Sequence, residues 1–267
     1  MAIAKSELDK FYTKVEVAQQ CVDTLVEFTD IDLWLEPSAG AGAFLSLLPH
    51  PRIGIDIDPE NKEIEAGDYL EYRVDNKYKH IAVVGNPPFG KNSSLAIKFF
   101  NHSAKFADVI AFIVPLTFRK TSVQNKLSLN FVLHKELELP KNSFTVHEDA
   151  GYTLADYHVP CVWQIWIRGK RNKVALKTNH PDWEWCEKEE ADYAIRRVGG
   201  NAGKCYDSFD QYAKPSHYYI KCTPAVFERL DSLYEQFKAV AKNTAGNPSL
   251  GKGELIQIYE RNFYDKN

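Results

Sequence analysis

The chain has 267 residues, of which 44% are apolar and 26% charged. That balance supports a buried core and excludes disorder as the main state. Lys plus Arg number 33 against 36 Asp plus Glu, a net charge of −3. This excludes a uniformly basic nucleic-acid coat protein while leaving room for a local basic face. No apolar run approaches the roughly 18 residues of a membrane helix, so no membrane partner is expected. Residues 1–14 alternate charged and apolar side chains without the apolar centre of a secretory signal. The five cysteines, Cys21, Cys161, Cys186, Cys205 and Cys222, are odd in number, widely spaced and free of Cys-x-x-Cys pairs, which predicts a reducing, cytoplasmic setting.

In chain order, Val15 to Phe28 carries Val15, Ala18, Val22, Leu25 and Val26 at helical spacing. Ile31 to Leu35 is a short apolar strand running into Glu36-Pro37-Ser38-Ala39-Gly40-Ala41-Gly42, and Ala43 to Leu48 reads as a helix. Further strands are predicted at Arg52 to Ile57, Glu63 to Ala66, Ile81 to Gly85 and Val109 to Val114, with helices at Ser93 to Phe106 and Phe118 to Leu129. Two longer strand-like runs, Phe131 to Leu139 and Val159 to Ile167, follow with a polar loop between them. Strands alternating with helices predict a Rossmann-like, doubly wound α/β sheet, mostly parallel. The last two strands, with no helix between them, predict a terminal antiparallel hairpin.

The composition shifts at Gly169-Lys170-Arg171-Asn172-Lys173. This divides the chain into residues 1–168 and a small α+β extension, residues 169–267. The extension has 16 Lys/Arg and 14 Asp/Glu, net +2. Its predicted elements are β-like segments at Tyr193 to Val198 and His217 to Cys222, a helix at Ala225 to Val240 and a last helix at Glu254 to Arg261.

Four places carry chemistry. The Glu36–Gly42 loop joins a strand to a helical start, and its small residues admit a close ligand near free backbone N–H groups. Asp56, ending the next strand, is placed to accept both hydroxyls of a ribose. Asp68, in Gly67-Asp68-Tyr69-Leu70, is placed to accept from an adenine amine. The strongest signal is Val83-Val84-Gly85-Asn86-Pro87-Pro88-Phe89-Gly90. Two prolines hold the backbone rigid and remove two donors. An Asn side chain and an adjacent carbonyl then offer two fixed acceptors to a planar amine, and an aromatic ring can stack on the base that bears it.

With these four elements in order, the chain resembles the class I S-adenosylmethionine-dependent methyltransferases, within them the Asn-Pro-Pro-Tyr/Phe amino-methyltransferases of the γ-ordered adenine-N6 DNA group. Asp9-Lys10-Phe11-Tyr12-Thr13 is similar to the Phe-x-Thr motif that precedes the nucleotide loop in that group. The resemblance covers residues 9–168 and implies S-adenosylmethionine as cofactor. It implies that Phe11 and Thr13 flank the cofactor, that Glu36, Ser38, Gly40 and Gly42 line its methionine and ribose region, and that Asp56 binds the ribose. Ile57 would pack on the adenine, with Asp68 and Tyr69 beside the adenine amine. Asn86 and Pro87 would hold the target amine, followed by Pro88, and Phe89 would stack on the target base. Phe144, with Tyr152 and Tyr157 behind it, is the candidate for a second stacking aromatic.

The expected partner is nucleic acid, DNA favoured and RNA the alternative; guanine N2, a protein glutamine amide and a non-catalytic cofactor-binding subunit are the other readings. Arg196, Arg197 and Lys204, in a Gly-rich loop, are candidate phosphate contacts beside Tyr206, Phe209, Tyr212, Tyr218 and Tyr219. His147, His158, Asp149 and Asp156 offer a general base that methyl transfer to an amine does not require. Cys186, Cys205, His217 and Cys222 have spacing too irregular for a zinc site, and no metal is expected.

Overall fold

The computed structural model describes residues 11–148, 153–157, 159–244 and 246–265. The chain divides into two compact units. One comprises residues up to Pro115 together with Asn125–Lys173, and the other Leu116–Gln124 together with the segment from Val174 onward. The second unit thus begins five residues beyond the composition shift and also takes in a short segment from the middle of the chain.

The first unit is a mixed α/β structure around a seven-stranded sheet. Its strands are β2 (Leu33–Pro37), β3 (Arg52–Asp56), β4 (Ile64–Ala66), β5 (Ile81–Gly85), β6 (Val109–Pro115), β7 (Phe131–Glu138) and β10 (Cys161–Arg168). They lie in the order β4-β3-β2-β5-β6-β10-β7. The first five are parallel to their neighbours, and β10 runs antiparallel to both β6 and β7. This is the mostly parallel sheet with a terminal antiparallel hairpin that the sequence predicts. Every residue of β2, β5 and β6 is buried, as expected for parallel strands covered on both faces.

The two faces of β10 show the cover. Trp163 stacks on Phe44 at 5.6 Å and 8°, and its Nε1–H donates to Thr24 Oγ1 at 2.9 Å. Trp166, three residues on and so on the opposite face, meets Phe100 of helix α2 (Ser94–Ser103) edge-on at 5.4 Å. Helix α1 spans Val15–Val22 and continues as a 3₁₀ turn to Leu25, shorter than the predicted Val15 to Phe28. Thr24 Oγ1 donates back to the Cys21 carbonyl there, a contact that competes with regular helix.

Three predicted features differ. Ala43 to Leu48 forms only a 3₁₀ turn, Leu45–Leu47, because the extended conformation of Leu48 (ψ 145°) ends it at once. Phe118 to Leu129 forms a 3₁₀ turn at Leu116–Arg119 and one helical turn, α3 (Thr121–Gln124). The polar loop between β7 and β10 is not structureless. It holds β8 (Phe144–Glu148) and β9 (Thr153–Tyr157), which pair with β1 (Tyr12–Thr13) in a separate three-stranded sheet, β1-β8-β9. β8 and β9 pair with each other, and β8 also with β1, more than a hundred residues earlier, so the local pattern does not betray the sheet.

The second unit contains a four-stranded antiparallel sheet of β11 (Trp183–Trp185), β12 (Tyr193–Arg196), β13 (Cys205–Tyr206) and β14 (His217–Cys222), in the order β11-β14-β12-β13. Its main core joins Trp183, Ile195 and Ile220 to residues of the helices α4 (Pro224–Ser232), α5 (Tyr234–Ala241) and α6 (Lys252–Phe263). The predicted single helix from Ala225 to Val240 breaks at Leu233. Asp231 and Ser232 are poor interior residues, and Ser232 Oγ donates to the Arg229 carbonyl.

Gly203 tests this packing. Its φ is +98°, and a Cβ there would lie 2.4 Å from the Phe237 Cβ and 3.3 Å from backbone atoms. Gly203→Ala is expected to destabilise the second unit by about 3 kcal/mol through combined strain and overlap, measured by chemical denaturation. An unchanged midpoint would contradict the close approach of this turn to α5.

Candidate active site

The predicted residues converge because of the sheet order. The chain leaves β2 toward β3 and β4 on one side, then crosses to β5 and β6 on the other. The crevice at such a reversal, beyond the carboxyl ends of the strands, is where open α/β sheets bind ligands. Glu36 and Pro37 end β2, Asp56 ends β3, and Asn86 follows β5 directly. Glu36, Asp56 and Asn86 border a cavity of about 780 Å³ lined also by Phe11, Thr13, Ser38, Gly40, Gly42, Ile57, Asp68, Tyr69, Pro87 and Pro88. Its size lies in the range of small-molecule sites.

Asn86 is the most informative residue. Its Nδ2 donates to the Phe11 carbonyl at 3.3 Å and to Thr13 Oγ1 at 3.2 Å. A carbonyl only accepts, so the Phe11 contact sets which end of the amide is nitrogen. The buried Oδ1 has no hydrogen-bond partner among the described residues. Ser38, at φ +53°, donates from Oγ to the carbonyls of Pro37 (2.6 Å) and Asn86 (3.2 Å), tying the β2 loop to the proline motif. Phe11 and Thr13 are themselves held in place, since Tyr12 and Thr13 pair with Thr145 and Phe144.

The residues that follow β2 and β3 are held by their own contacts. Gly40 and Gly42 have φ of +53° and +88°, values that favour glycine. Asp56 accepts from the Gly40 N–H through Oδ2 (2.7 Å) and from the Asp58 N–H through Oδ1 (2.8 Å). Ile57 is 56% exposed, an unusual position for an isoleucine beside a cavity. Asp68 is exposed and accepts from the Leu70 N–H. Tyr69 is buried and donates its hydroxyl proton to Ser103 Oγ at 2.7 Å, Ser103 donating onward to the Phe99 carbonyl. Its polar end is therefore turned to the interior, and its part at the cavity is packing.

Phe89 and Phe144 differ in position from the expectation for base-stacking rings. Both are buried, and their rings lie 6.2 Å and 6.4 Å from that of Phe11. They form an aromatic cluster behind Asn86 and do not belong to the cavity wall, which Thr145 joins instead of Phe144. The sequence did not single out Glu60, Leu95 or Phe99, which also line the cavity. Glu60 accepts a hydrogen bond from the Tyr12 hydroxyl; only its place after a strand end marked it. Asp9, Lys10, Asp149, Tyr152 and His158 lie outside the described residues, as do the side chains of His147, Asp156 and Tyr157.

In the second unit, the cations expected to grip phosphates are partly engaged. Arg196 donates from Nε to the Val198 carbonyl. Arg197 and Lys204 each lie 5.5 Å from a tyrosine ring, Tyr218 and Tyr206 respectively. Among the described residues no group of three or more His, Cys, Asp or Glu is placed to hold a metal ion, and no helix is long and apolar enough to cross a membrane.

No family model matches the chain, and no curated protein matches it by sequence. Solved structures similar to it include a provisionally assigned RNA methyltransferase from Pyrococcus horikoshii, at 16% identity over 62% of this chain and 90% of that one, TM-score 0.45. The 23S rRNA methyltransferase ErmE is similar at 11% identity over 94% and 99%, TM-score 0.39. The N-methyltransferase NodS from Bradyrhizobium japonicum WM9 is similar at 15% over 58% and 96%, TM-score 0.39. Similarity of this degree assigns neither family nor substrate.

Glu36 yields a prediction independent of ligand. It is 3% exposed and accepts from the Leu45 N–H at 2.6 Å. Burial pushes its pKa well above the usual value and Asp56 adds to this, while the Leu45 and Phe44 N–H groups oppose it. A carboxyl whose folded pKa exceeds its unfolded value burdens the fold once pH rises above the unfolded pKa. Glu36→Gln keeps an acceptor without the charge. Its stability relative to the parent is expected to rise with pH above about 4.5, by at most about 1.4 kcal/mol per pH unit, up to the folded pKa. Urea denaturation between pH 4 and 8 measures this, and a pH-independent difference would contradict it.

Proposed function

We propose that the protein is an S-adenosylmethionine-dependent methyltransferase that acts on the N6 amine of adenine in nucleic acid, with DNA favoured. The observation that carries this reading is the buried Oδ1 of Asn86 at the cavity, without a hydrogen-bond partner among the described residues, its amide orientation set by the Phe11 carbonyl.

The residues present fit the cofactor. Asp56, at the carboxyl end of β3, retains acceptor capacity for ribose hydroxyls beyond its two backbone contacts. Gly40 and Gly42, with Ala39 and Ala41, keep the loop's side chains small, Ile57 gives an exposed apolar surface for adenine, and Asp68 lines the same cavity as an acceptor. Thr13 and Phe11 close the methionine side with Glu36 and Ser38. When bound, S-adenosylmethionine supplies a methyl group on a positively charged sulfur.

The remaining chemistry belongs to the chain. An aromatic amine is a weak nucleophile because its lone pair is delocalised into the ring. Asn86 Oδ1 accepts from one N–H of the amine and the Pro87 carbonyl from the other. Two fixed acceptors favour a pyramidal nitrogen, localise its lone pair and stabilise the positive charge that develops there. The Pro87-Pro88 pair holds the acceptors still, so the geometry is set before the amine arrives. Phe89 stacks on the base, which requires its ring to open from the packing against Phe11 and offsets part of the unstacking of a flipped nucleotide. The proton leaves the amine to water. The second unit serves as a substrate-recognition extension, with Arg196, Arg197 and Lys204 toward phosphates.

The test is transfer of labelled methyl to duplex DNA, single-stranded DNA, total RNA and a protein extract, followed by mass spectrometry of the digested products. N6-methyladenine from DNA is the expected product. The same nucleoside from RNA alone reassigns the substrate, while a labelled glutamine overturns the nucleic-acid reading. Asn86→Ala is expected to lower kcat by about 10²–10³ while the thermal shift on adding S-adenosylmethionine persists.

A further inference from the structure

A second cleft, of about 210 Å³, lies wholly within the second unit. That is several times the roughly 30 Å³ a water occupies in the liquid. His217 and Tyr219 alternate on β14 and share a face, with ring centroids 6.3 Å apart. They are 4% and 7% exposed. Both line the cleft, and His217 Nε2 and Tyr219 Oη have no hydrogen-bond partner among the described residues. Two buried, unsatisfied polar atoms beside one opening are costly unless something completes them.

The chemistry of these atoms narrows the ligand. Ser216 Oγ donates its one proton to the Ala213 carbonyl at 2.8 Å, so it accepts from His217 Nδ1–H at 2.9 Å. The Nδ1 proton leaves Nε2 of the neutral ring as an acceptor. Burial, Arg196 and Lys188 disfavour the cationic ring, although the Ala213 carbonyl favours it. An acceptor lone pair does not suit phosphate. Of the lysines at the cleft, Lys214 is already paired with Glu187 and Glu189, and Lys252 sits 4.3 Å from the Trp185 ring centroid. The cleft therefore presents a neutral acceptor, a hydroxyl that can donate, and an aromatic wall. Each nucleobase carries an N–H donor next to an acceptor on its pairing edge.

We propose that this cleft is a subsite for one unstacked nucleobase, with His217 Nε2 accepting from a base N–H and Tyr219 donating to the neighbouring ring nitrogen or carbonyl. As a contact for the substrate of the methyl transfer, it rests on the function proposed above.

The experiment follows the Nε2 signal of His217 by ¹⁵N NMR of the full chain, titrated separately with the four ribonucleosides and inorganic phosphate. Nucleosides are expected to shift that signal selectively among the eight histidines, and phosphate to leave it in place. Tyr219→Phe, which removes only the hydroxyl, and His217→Phe are expected to raise KM for an oligonucleotide substrate about tenfold, with kcat and the S-adenosylmethionine thermal shift retained. A signal indifferent to every nucleoside, or moved equally by phosphate, overturns the subsite. Unchanged KM in a folded Tyr219→Phe protein does so as well, and leaves the methyltransferase reading intact. If the parent protein methylates no nucleic acid yet the His217 signal answers to nucleosides, the function falls and the subsite stands.

Discussion

A primary amide has a donor end and an acceptor end, and at Asn86 the fold commits the donor end to the protein. The Phe11 carbonyl and the Thr13 hydroxyl take the Nδ2 protons. Among the described residues the oxygen is left buried without a partner, a state that costs about 1–3 kcal/mol in a finished structure. Much of the first unit serves this arrangement. Phe11 and Thr13 are positioned by β1, β1 is held by β8, and β8 is paired along its length with β9. Lys14 N–H also donates to the Ser143 carbonyl, extending the attachment. A hairpin inserted between two strands of the main sheet thus supports an asparagine at the end of a third.

The parallel sheet supplies what the hairpin cannot. Its reversal of direction beside β2 brings the ends of β2, β3 and β5 to one crevice, and the burial of β2 and β5 along their length leaves the crevice at their ends as the place for a ligand. Glu36 sits at the buried edge of this crevice. It has a backbone donor in Leu45 but almost no solvent, and Gly85 leaves room for it, since a Cβ there would lie 3.2 Å from Glu36 Cγ. A carboxyl kept at such a place burdens the fold wherever it is ionised.

The strands of the main sheet and the cavity residues were legible in sequence because both rest on local signals. Continuous apolar runs mark buried parallel strands, and glycines, prolines and acids mark their ends. Glu36, Asp56 and Asn86 stand at such strand ends. The hairpin was not legible, since Phe144–Glu148 and Thr153–Tyr157 owe their pairing to each other and to residues more than a hundred positions earlier. The same limit applies to Phe144. A phenylalanine in a polar loop reads as a ring free to stack, and only tertiary packing shows it enclosed beside Phe11. Glu60 escaped notice because its partner, Tyr12, lies 48 residues away.

The second unit shows a related limit for charge. A basic, glycine-rich loop stands out in sequence because charge needs no fold to be seen, yet Arg196 engages a backbone carbonyl, and Arg197 and Lys204 rest beside tyrosine rings. Cations so placed add attraction for a polyanion but little discrimination. Discrimination requires polar atoms with a fixed direction and an unmet hydrogen bond. His217 has that form, its Nδ1 committed to Ser216 and its Nε2 without a partner among the described residues, much as Asn86 commits Nδ2 and leaves Oδ1. In each case the protein's own hydrogen bond settles which end of the side chain remains to accept, so the acceptor is oriented before any ligand binds.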